Sequence, residues 1–278
     1  MRLALLANPE SGTGDADGVA ERLRALGAET STVPLDEAPD LRDPPADRIV
    51  VAGGDGSLGV AAQTAGRLGL PLAVIPAGTA NDFARAMDLP SELDAAERLA
   101  VEGRRTRSLE LGLIGSRPFV NVASLGLPPA AASRADEVKG LLGSGAYALG
   151  ALRAGLTAKP VECDVSCDGV PFQAGSLWQL TVACSGAFGG GAGVEADPAD
   201  GRLDVVAIEA GSRLSLVRRA WGLRRGDIGR QRGVRTARAC EVRVEVAPGT
   251  RYNVDGELIA AGAESLRVEP GAFELVVG

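Results

Sequence analysis

The first hundred residues alternate between short apolar runs and stretches where apolar side chains recur every three or four positions. Arg2–Ala7 reads as a buried strand, and Val19, Leu23 and Leu26 then mark a helix closed by Gly27. Glu29–Val33 is a second strand, followed by a connection rich in Pro and Asp from residue 34 to 47. Ile49–Val51 is a third strand, and Val60, Ala61, Thr64, Ala65 and Leu68 give the next helix. Leu72–Ile75 is a fourth strand, after which Ser91, with Asp94 three residues on, caps a helix running to about Glu102. Strands alternating with helices predict a parallel sheet covered on both faces.

The pattern changes near residues 112–126. Arg107–Ile114 and Phe119–Leu125 read as a hairpin around Gly115-Ser116, and Val138–Leu156 as a weakly charged helical segment. From Val161 the strands crowd together: Val161–Cys167, Leu177–Cys184, Leu203–Ile208, Glu241–Val246, Tyr252–Val254 and Ala272–Val277. Apart from one arginine-rich insertion, only turn residues separate them, which predicts an antiparallel β domain. The expected fold class is α/β plus all-β: a doubly wound domain over 1–115 and an antiparallel domain over 116–278, the last strand returning to the first domain.

Composition removes several kinds of chemistry. The 278 residues are 45% hydrophobic and 23% charged, the profile of a globular chain. A net charge of −7 argues against nucleic acid as the partner. There is no histidine, so Ser-His-Asp and Cys-His schemes and His-based metal sites are excluded, and acid–base work falls to carboxylates. Cys163, Cys167, Cys184 and Cys240 lack zinc-ligand spacing; Cys163, Val165 and Cys167 share one face of a strand, as buried thiols would. Met1–Leu6 is too short for a signal peptide and no apolar run reaches membrane-spanning length, so the expectation is a cytoplasmic protein.

Three loops carry the candidate chemistry. Gly53-Gly54-Asp55-Gly56-Ser57 stands between a strand and a helix, where bare backbone and a helix N-terminus suit a phosphate. Asp55 would repel a bare phosphate but suits a metal-bound nucleotide, or can take a proton. Asn8-Pro9-Glu10-Ser11-Gly12 follows the first strand, and Gly78-Thr79-Ala80-Asn81-Asp82 the fourth. Loops leaving the carboxyl ends of neighbouring parallel strands meet in one crevice. They would offer amides, the hydroxyls of Ser11, Ser57 and Thr79, and the Asp55 carboxylate. Asn81 and Asp82 are equally suited to capping a helix. Asp197, Asp200 and Asp204 lie around a glycine turn that could gather oxygen ligands for a hard cation, or be a solvated turn. Asp255-Gly256, like Asp168-Gly169, is a two-residue hairpin signal, to which Glu257 adds a second carboxylate.

Taken together, Gly-Gly-Asp-Gly-Ser at 53–57, Pro-Ala-Gly-Thr-Ala-Asn-Asp-Phe-Ala-Arg at 76–85 and Asp-Gly-Glu at 255–257 resemble the bacterial branch of the diacylglycerol/sphingosine lipid kinases. Asn8-Pro9-x-Ser11-Gly12, Asn121-Val-Ala-Ser124-Leu-Gly126, Gly143-x-x-Ala146-Tyr147 and Asp200-Gly-Arg-Leu-Asp204 match in order. The resemblance implies a nucleotide-binding domain like that of NAD kinases and phosphofructokinases, then a β-sandwich domain, with a lipid site in the cleft. It implies ATP contacts at Asn8, Ser11, Gly12, Gly53, Gly54, Asp55, Gly56, Ser57, Gly78, Thr79 and Asn81. Glu257 would be the proton acceptor, with Asp255 beside it and Asp55 in the Mg²⁺-linked site. Backbone carbonyls near Asp197, Asp200 and Arg202 would hold a structural Mg²⁺.

The chain departs from that pattern at three places. Gly59-Val60 replaces Asn-Glu, Leu127-Pro128-Pro129 replaces an acidic residue after Ser-x-Gly, and 34–47 replaces a threonine-and-helix segment. The expected activity is ATP- and Mg²⁺-dependent phosphorylation of a lipid hydroxyl. The alternatives are a non-catalytic lipid- or nucleotide-binding relative, or a kinase of a soluble hydroxyl compound. One stretch is not explained by the resemblance: residues 213–238 hold nine arginines against one acid, Asp227. Leu214, Val217 and Trp221 share a helical face there, so a membrane-docking helix is weighed against a solvated one.

Overall fold

The computed structural model describes residues 1–7, 15–126, 159–185, 187–188, 192–193, 196–212 and 231–278. Two compact units emerge. The first comprises Met1–Asn121, Pro198–Gly201 and Val268–Gly278; the second comprises Val122–Asp197 and Arg202–Arg267. The division after Asn121 differs from a boundary after residue 115 because the arm of a hairpin, 117–119, stays with the first unit.

In the first unit the chain runs β1 (Arg2–Ala7), α1 (Ala16–Ala25), β2 (Glu29–Pro34), β3 (Arg48–Gly53), α2 (Asp55–Leu68), β4 (Leu72–Pro76), α3 (Asp82–Ala86), α4 (Leu93–Glu102), β5 (Arg105–Ile114) and β6 (Arg117–Phe119). A 3-10 turn over Leu35–Asp40 fills the connection after β2. β2, β1, β3 and β4 lie side by side, all parallel, and the final strand adds a fifth through Leu275 against Leu72. β5 and β6 form the antiparallel hairpin expected around Gly115-Ser116.

Side-chain alternation explains why helices cover both faces of this sheet. Leu3, Leu5, Val50, Ala52, Ala73 and Ile75 pack with α1 and α4 through Val19, Leu23, Ala96 and Ala100. Ala4, Leu6, Ile49, Val51 and Val74 point the other way and pack with Leu58, Ala61 and Ala65 of α2 and Phe83 of α3. The cap of α4 differs from the one its sequence suggests. The helix starts after Glu92, which makes no side-chain capping bond, and not from a Ser91 cap. Buried Arg48 instead serves the other end, donating to the carbonyls of Ala100 and Gly103.

The second unit is antiparallel throughout. It contains β7 (Val122–Gly126), β8 (Val161–Cys167), β9 (Val170–Gln173), β10 (Ser176–Ala183), β11 (Ala187–Phe188), β12 (Ala192–Gly193), β13 (Leu203–Glu209), β14 (Val234–Ala239), β15 (Glu241–Val246), β16 (Thr250–Val254), β17 (Glu257–Ala261) and the start of β18 (Glu264–Val277). One layer has the order β17-β16-β7-β10-β13-β14; the other has β9-β8-β15-β18. Leu125, Leu180, Val182 and Tyr252 of the first layer meet Val244 and Leu266 of the second and leave no room for a water molecule. The Tyr252 hydroxyl donates to the Gly262 carbonyl at 3.0 Å, satisfying the one polar atom of that side chain.

β14 takes up the end of the arginine-rich stretch. Residues 213–230 lie outside the described ones, as do Asn8, Ser11, Gly12, Val138–Leu156 and Leu127-Pro128-Pro129. Residues 234–239 form a strand, not a helix. Arg238 lies 3.4 Å from Asp204, while Arg235 sits over the Phe172 ring at 5.6 Å and donates to Gln173. These two arginines are partnered within the fold.

α2 approaches its neighbours closely where it carries glycine. A Cβ on Gly66 would lie 1.9 Å from the Ala272 carbonyl oxygen of the last strand. Gly66→Ala must therefore push the helix from the sheet, and a loss of about 1–3 kcal/mol is expected in urea unfolding. Unchanged stability would mean that the helix shifts freely.

Candidate functional site

The parallel register brings the carboxyl ends of β1, β3 and β4 to one edge, with Ala7 beside Ala52 and Gly53 beside Pro76. β2 continues the sheet on one side of β1 and β3 on the other, the topological switch at which open parallel sheets bind ligands. β3 ends at Gly53, and Gly54 is the N-cap of the fourteen-residue α2, so Asp55 is the first residue of that helix.

The two glycine loops touch through bare backbone. A Cβ on Gly78 would lie 2.5 Å from the Gly54 Cα, and one on Gly54 3.2 Å from the Gly78 Cα. Glycine is needed here for close approach, since neither residue has a positive φ. Asn81 fixes the second loop from within: its Oδ1 accepts from the Gly78 N–H at 2.9 Å and its Nδ2 donates to the Gly78 carbonyl at 2.8 Å. Its φ of +48° is left-handed, a conformation asparagine tolerates better than most residues. Asn81 is thus a brace for the loop. Thr79 is exposed at the tip, whereas Ser57 is buried, its Oγ 2.9 Å from where a Gly53 Cβ would stand.

Asp55 supplies the cap that Asn81 does not. Its Oδ2 accepts from the Asp82 N–H and its Oδ1 from the Phe83 N–H, each at 3.0 Å, so the carboxylate caps α3 from another element. Buried Asn121 donates to the same Oδ1 at 3.0 Å. The sequence reading weighed Asp82 only as a helix cap and gave Asn121 no role, although both lie in motifs it singled out. Burial and the charge of Asp55 push the Asp82 carboxyl upward, more than Arg85, which donates to it, draws it down. Two neighbouring carboxylates, one disfavoured in its charged form, are a setting that a divalent cation relieves. The bare cradle and this pair fit a magnesium-bound nucleotide.

Gly59 gives the first departure a steric reason. A Cβ there would lie 2.6 Å from the Pro118 carbonyl oxygen and 3.4 Å from the Phe119 Cα. α2 packs on β6 at this point, leaving no room for asparagine.

In the second unit, Asp255 and Gly256 have φ of +47° and +92° and turn β16 into β17, as the hairpin signal predicts. Asp255 is 9% exposed; its Oδ1 accepts from the Val122 N–H at 2.8 Å and its own N–H donates to the Val122 carbonyl at 3.0 Å. Glu257 follows on β17 and is exposed. The Asp168-Gly169 turn repeats the device: Asp168 Oδ1 accepts from Cys240 and Glu241, and its N–H donates to the Glu241 carbonyl. Each aspartate clasps a neighbouring strand.

Asp197, Asp200 and Arg202 are exposed, and Asp200 belongs to the first unit while the other two belong to the second. Within the first unit, buried Glu110 grips the loop, its N–H donating to the Pro198 carbonyl and its Oε2 accepting from the Gly201 N–H. Among the described residues no three Cys, Asp or Glu side chains gather as a metal site.

Comparison with known proteins bears on both units. Residues 2–114 match the diacylglycerol kinase catalytic domain, and residues 121–277 match the YegS C-terminal NAD kinase beta sandwich-like domain. The chain belongs to the diacylglycerol kinase/YegS-like lipid kinase family. Membership places it among phosphotransferases with an alcohol acceptor. A diacylglycerol kinase of Mycobacterium tuberculosis is 29% identical, covering 99% of this chain and 94% of its own. A Pseudomonas aeruginosa protein named as a YegS-like lipid kinase is 31% identical over 82% of this chain and 75% of its own. A crystal structure of a diacylglycerol kinase from Bacillus anthracis, at 19% identity, has a TM-score of 0.76, covers 100% of this chain and 97% of its own, and speaks for the fold alone. An Archaeoglobus fulgidus NAD kinase solved with ATP is more distant, at 17% identity, a TM-score of 0.56 and 99% and 92% coverage.

The contact between Gly54 and Gly78 makes a direct prediction. Gly78→Ala should part the two loops and weaken nucleotide affinity by tenfold or more, an order-of-magnitude loss worth about 1.4 kcal/mol. Titration with a fluorescent ATP analogue measures it. Unchanged affinity would remove this cradle from the site.

Proposed function

We propose that the protein is an ATP-dependent lipid kinase, transferring the γ-phosphate to a hydroxyl of a diacylglycerol-, sphingoid- or phosphatidylglycerol-like lipid. The observation that carries the reading is the cradle at 53–57 and 78–81: two backbones in contact without side chains, at the start of a long helix, with a carboxylate fixed inside. Such a site suits phosphate groups that arrive with a cation. In this reading Gly53, Gly54, Gly56 and Gly78 let the phosphates approach, Asn81 holds the loop in shape, and Asp55 with Asp82 faces the metal. Bound Mg²⁺ would neutralise charge on the phosphoryl oxygens. Asn8, Ser11 and Gly12 would complete the nucleotide contacts, and carbonyls near Asp197, Asp200 and Arg202 would serve a structural Mg²⁺.

Glu257 is the carboxylate assigned to take the proton from the lipid hydroxyl, and exposure leaves it open to a substrate. Asp255 is assigned to holding the turn that presents it. No helix among the described residues is long and apolar enough to cross a membrane, so the reading has the protein meet its lipid at a cytoplasmic membrane surface. The arginines within 213–230 are the segment assigned to that meeting, Arg235 and Arg238 being engaged in the fold.

The test is a lipid-panel assay with labelled ATP and Mg²⁺, with soluble alcohols as controls. Label in lipid is expected. Asp55→Asn should lower turnover at least about 100-fold while costing only about 1–2 kcal/mol of stability from the weakened cap. Glu257→Gln should lose turnover and keep ATP affinity, whereas Asp168→Asn should leave activity nearly unchanged. Near-wild-type turnover in Asp55→Asn would place the chemistry elsewhere. Lipid binding without transfer at any Mg²⁺ level would make the protein a non-catalytic relative, an outcome favoured by the departures at Gly59-Val60 and Leu127-Pro128-Pro129.

A further inference from the structure

The two oxygens of Asp55 are not equivalent. An ionised carboxylate offers about four lone-pair positions, two on each oxygen. The Phe83 N–H and Asn121 Nδ2 both donate to Oδ1, and the Asp82 N–H donates to Oδ2, each at 3.0 Å. Among the described residues these are the donors that reach it, so Oδ1 is filled and Oδ2 keeps one open position. The α3 amides take one position on each oxygen, as a cap would. Asn121 makes the difference between the two.

The segment carrying Asn121 is fixed against the helix carrying Asp55. Asn121 is 2% exposed and follows Phe119 and Val120, both buried, with Phe119 paired to Gly112 on β5. Gly59 stands one turn after Asp55 on the same side of α2, and a Cβ there would lie 2.6 Å from the Pro118 carbonyl oxygen. Bare glycine thus lets α2 close on 118–119, which brings Asp55 within reach of the amide. The departure at Gly59 and the filling of Oδ1 belong to one arrangement.

A single open position permits one bond to a cation and opposes a grip by both oxygens. Mg²⁺ demands a near-ideal octahedron, which a carboxylate enters through one oxygen. Ca²⁺ is larger, takes about six to eight oxygens, and accepts both from one carboxylate. Resting on the reading of a nucleotide that arrives with a cation, we propose that Asn121 is a positioning residue that sets the choice of cation. By filling Asp55 Oδ1 it leaves Oδ2 as the one atom offered to the metal, which admits Mg²⁺ and handicaps Ca²⁺. Asn121 acts through Asp55 and needs no contact with the metal or the nucleotide. Without its amide, Oδ1 regains a position and both oxygens can serve a larger ion.

The test compares the full-length protein with Asn121→Leu and Asn121→Ser. Each is titrated with a fluorescent ATP analogue in saturating Mg²⁺, in saturating Ca²⁺ and in EDTA, and its melting temperature is taken. Wild type should bind the Mg²⁺ form about tenfold more tightly than the Ca²⁺ form, a ratio that one hydrogen bond to a charged group can sustain. Asn121→Leu keeps the volume and removes the donor; it should bring the two forms level through a gain in the Ca²⁺ form, with affinity in EDTA unaltered. Asn121→Ser leaves room for a water to donate, so it should keep part of the preference, and it carries the test if Asn121→Leu does not fold. A merely structural role would weaken binding alike in all three media, and that result overturns the inference. So does a Mg²⁺ preference unmoved by either substitution, or a wild type that binds equally in Mg²⁺ and Ca²⁺ but less well in EDTA; each leaves the metal-bound nucleotide reading standing. Wild-type affinity that is the same in all three media removes the cation from Asp55 and overturns that reading together with this inference.

Discussion

The Asp55 carboxylate is the constraint on which the first unit's loop edge depends. It belongs to α2, yet its three hydrogen bonds go to the first amides of α3 and to Asn121. A helix of five residues has little intrinsic stability, because nucleation costs more than so few bonds return. α3 therefore takes its start from a charge on a neighbouring element. The same bonds fix the carboxylate in orientation before any ligand arrives, which is what preorganisation asks of a group meant to meet a cation. One side chain is thus both a structural tie and the best candidate for chemistry, and its removal has two effects that must be measured separately.

The outline of this arrangement was legible in the chain, and its interior was not. Strict apolar runs such as Leu3–Leu6 and Ile49–Val51 can only be strands buried on both faces, so the parallel sheet and its loops followed from pattern. Asp-Gly at 168–169 and 255–256 named two hairpin turns by the positive φ they demand. What pattern could not supply were contacts made by residues far apart in sequence. Asn121 reaches Asp55 across 66 positions, and Gly59 answers to the carbonyl of Pro118. β9, β14 and β17 escaped notice because each is short and lies at the edge of its layer, where alternation is blurred by charge and exposure.

The matched turns at Asp168 and Asp255 caution against reading function from a motif's chemistry alone. Both aspartates accept from, and donate to, the backbone of an adjacent strand, and both stand at left-handed φ. What separates them is context: Asp255 is buried and is followed by a second acid, while Asp168 is exposed and is followed by valine two residues on. Glu257 is exposed on β17, whereas Asp255 is buried and its Oδ1 accepts from the Val122 N–H.

β18 has a consequence for how the chain is made. Its first residues, 264–267, pair with β15 in the second unit, and the rest belong to the first, where Leu275 lies against Leu72. The parallel sheet thus receives its fifth strand some two hundred residues after its fourth. During synthesis the edge of β4 must wait, unpaired, while the whole antiparallel unit emerges from the ribosome. Contacts of that sequence separation are slow to close. The first unit cannot be finished before the second has been made, so a nascent chain holds a four-stranded parallel sheet until the antiparallel unit has followed it.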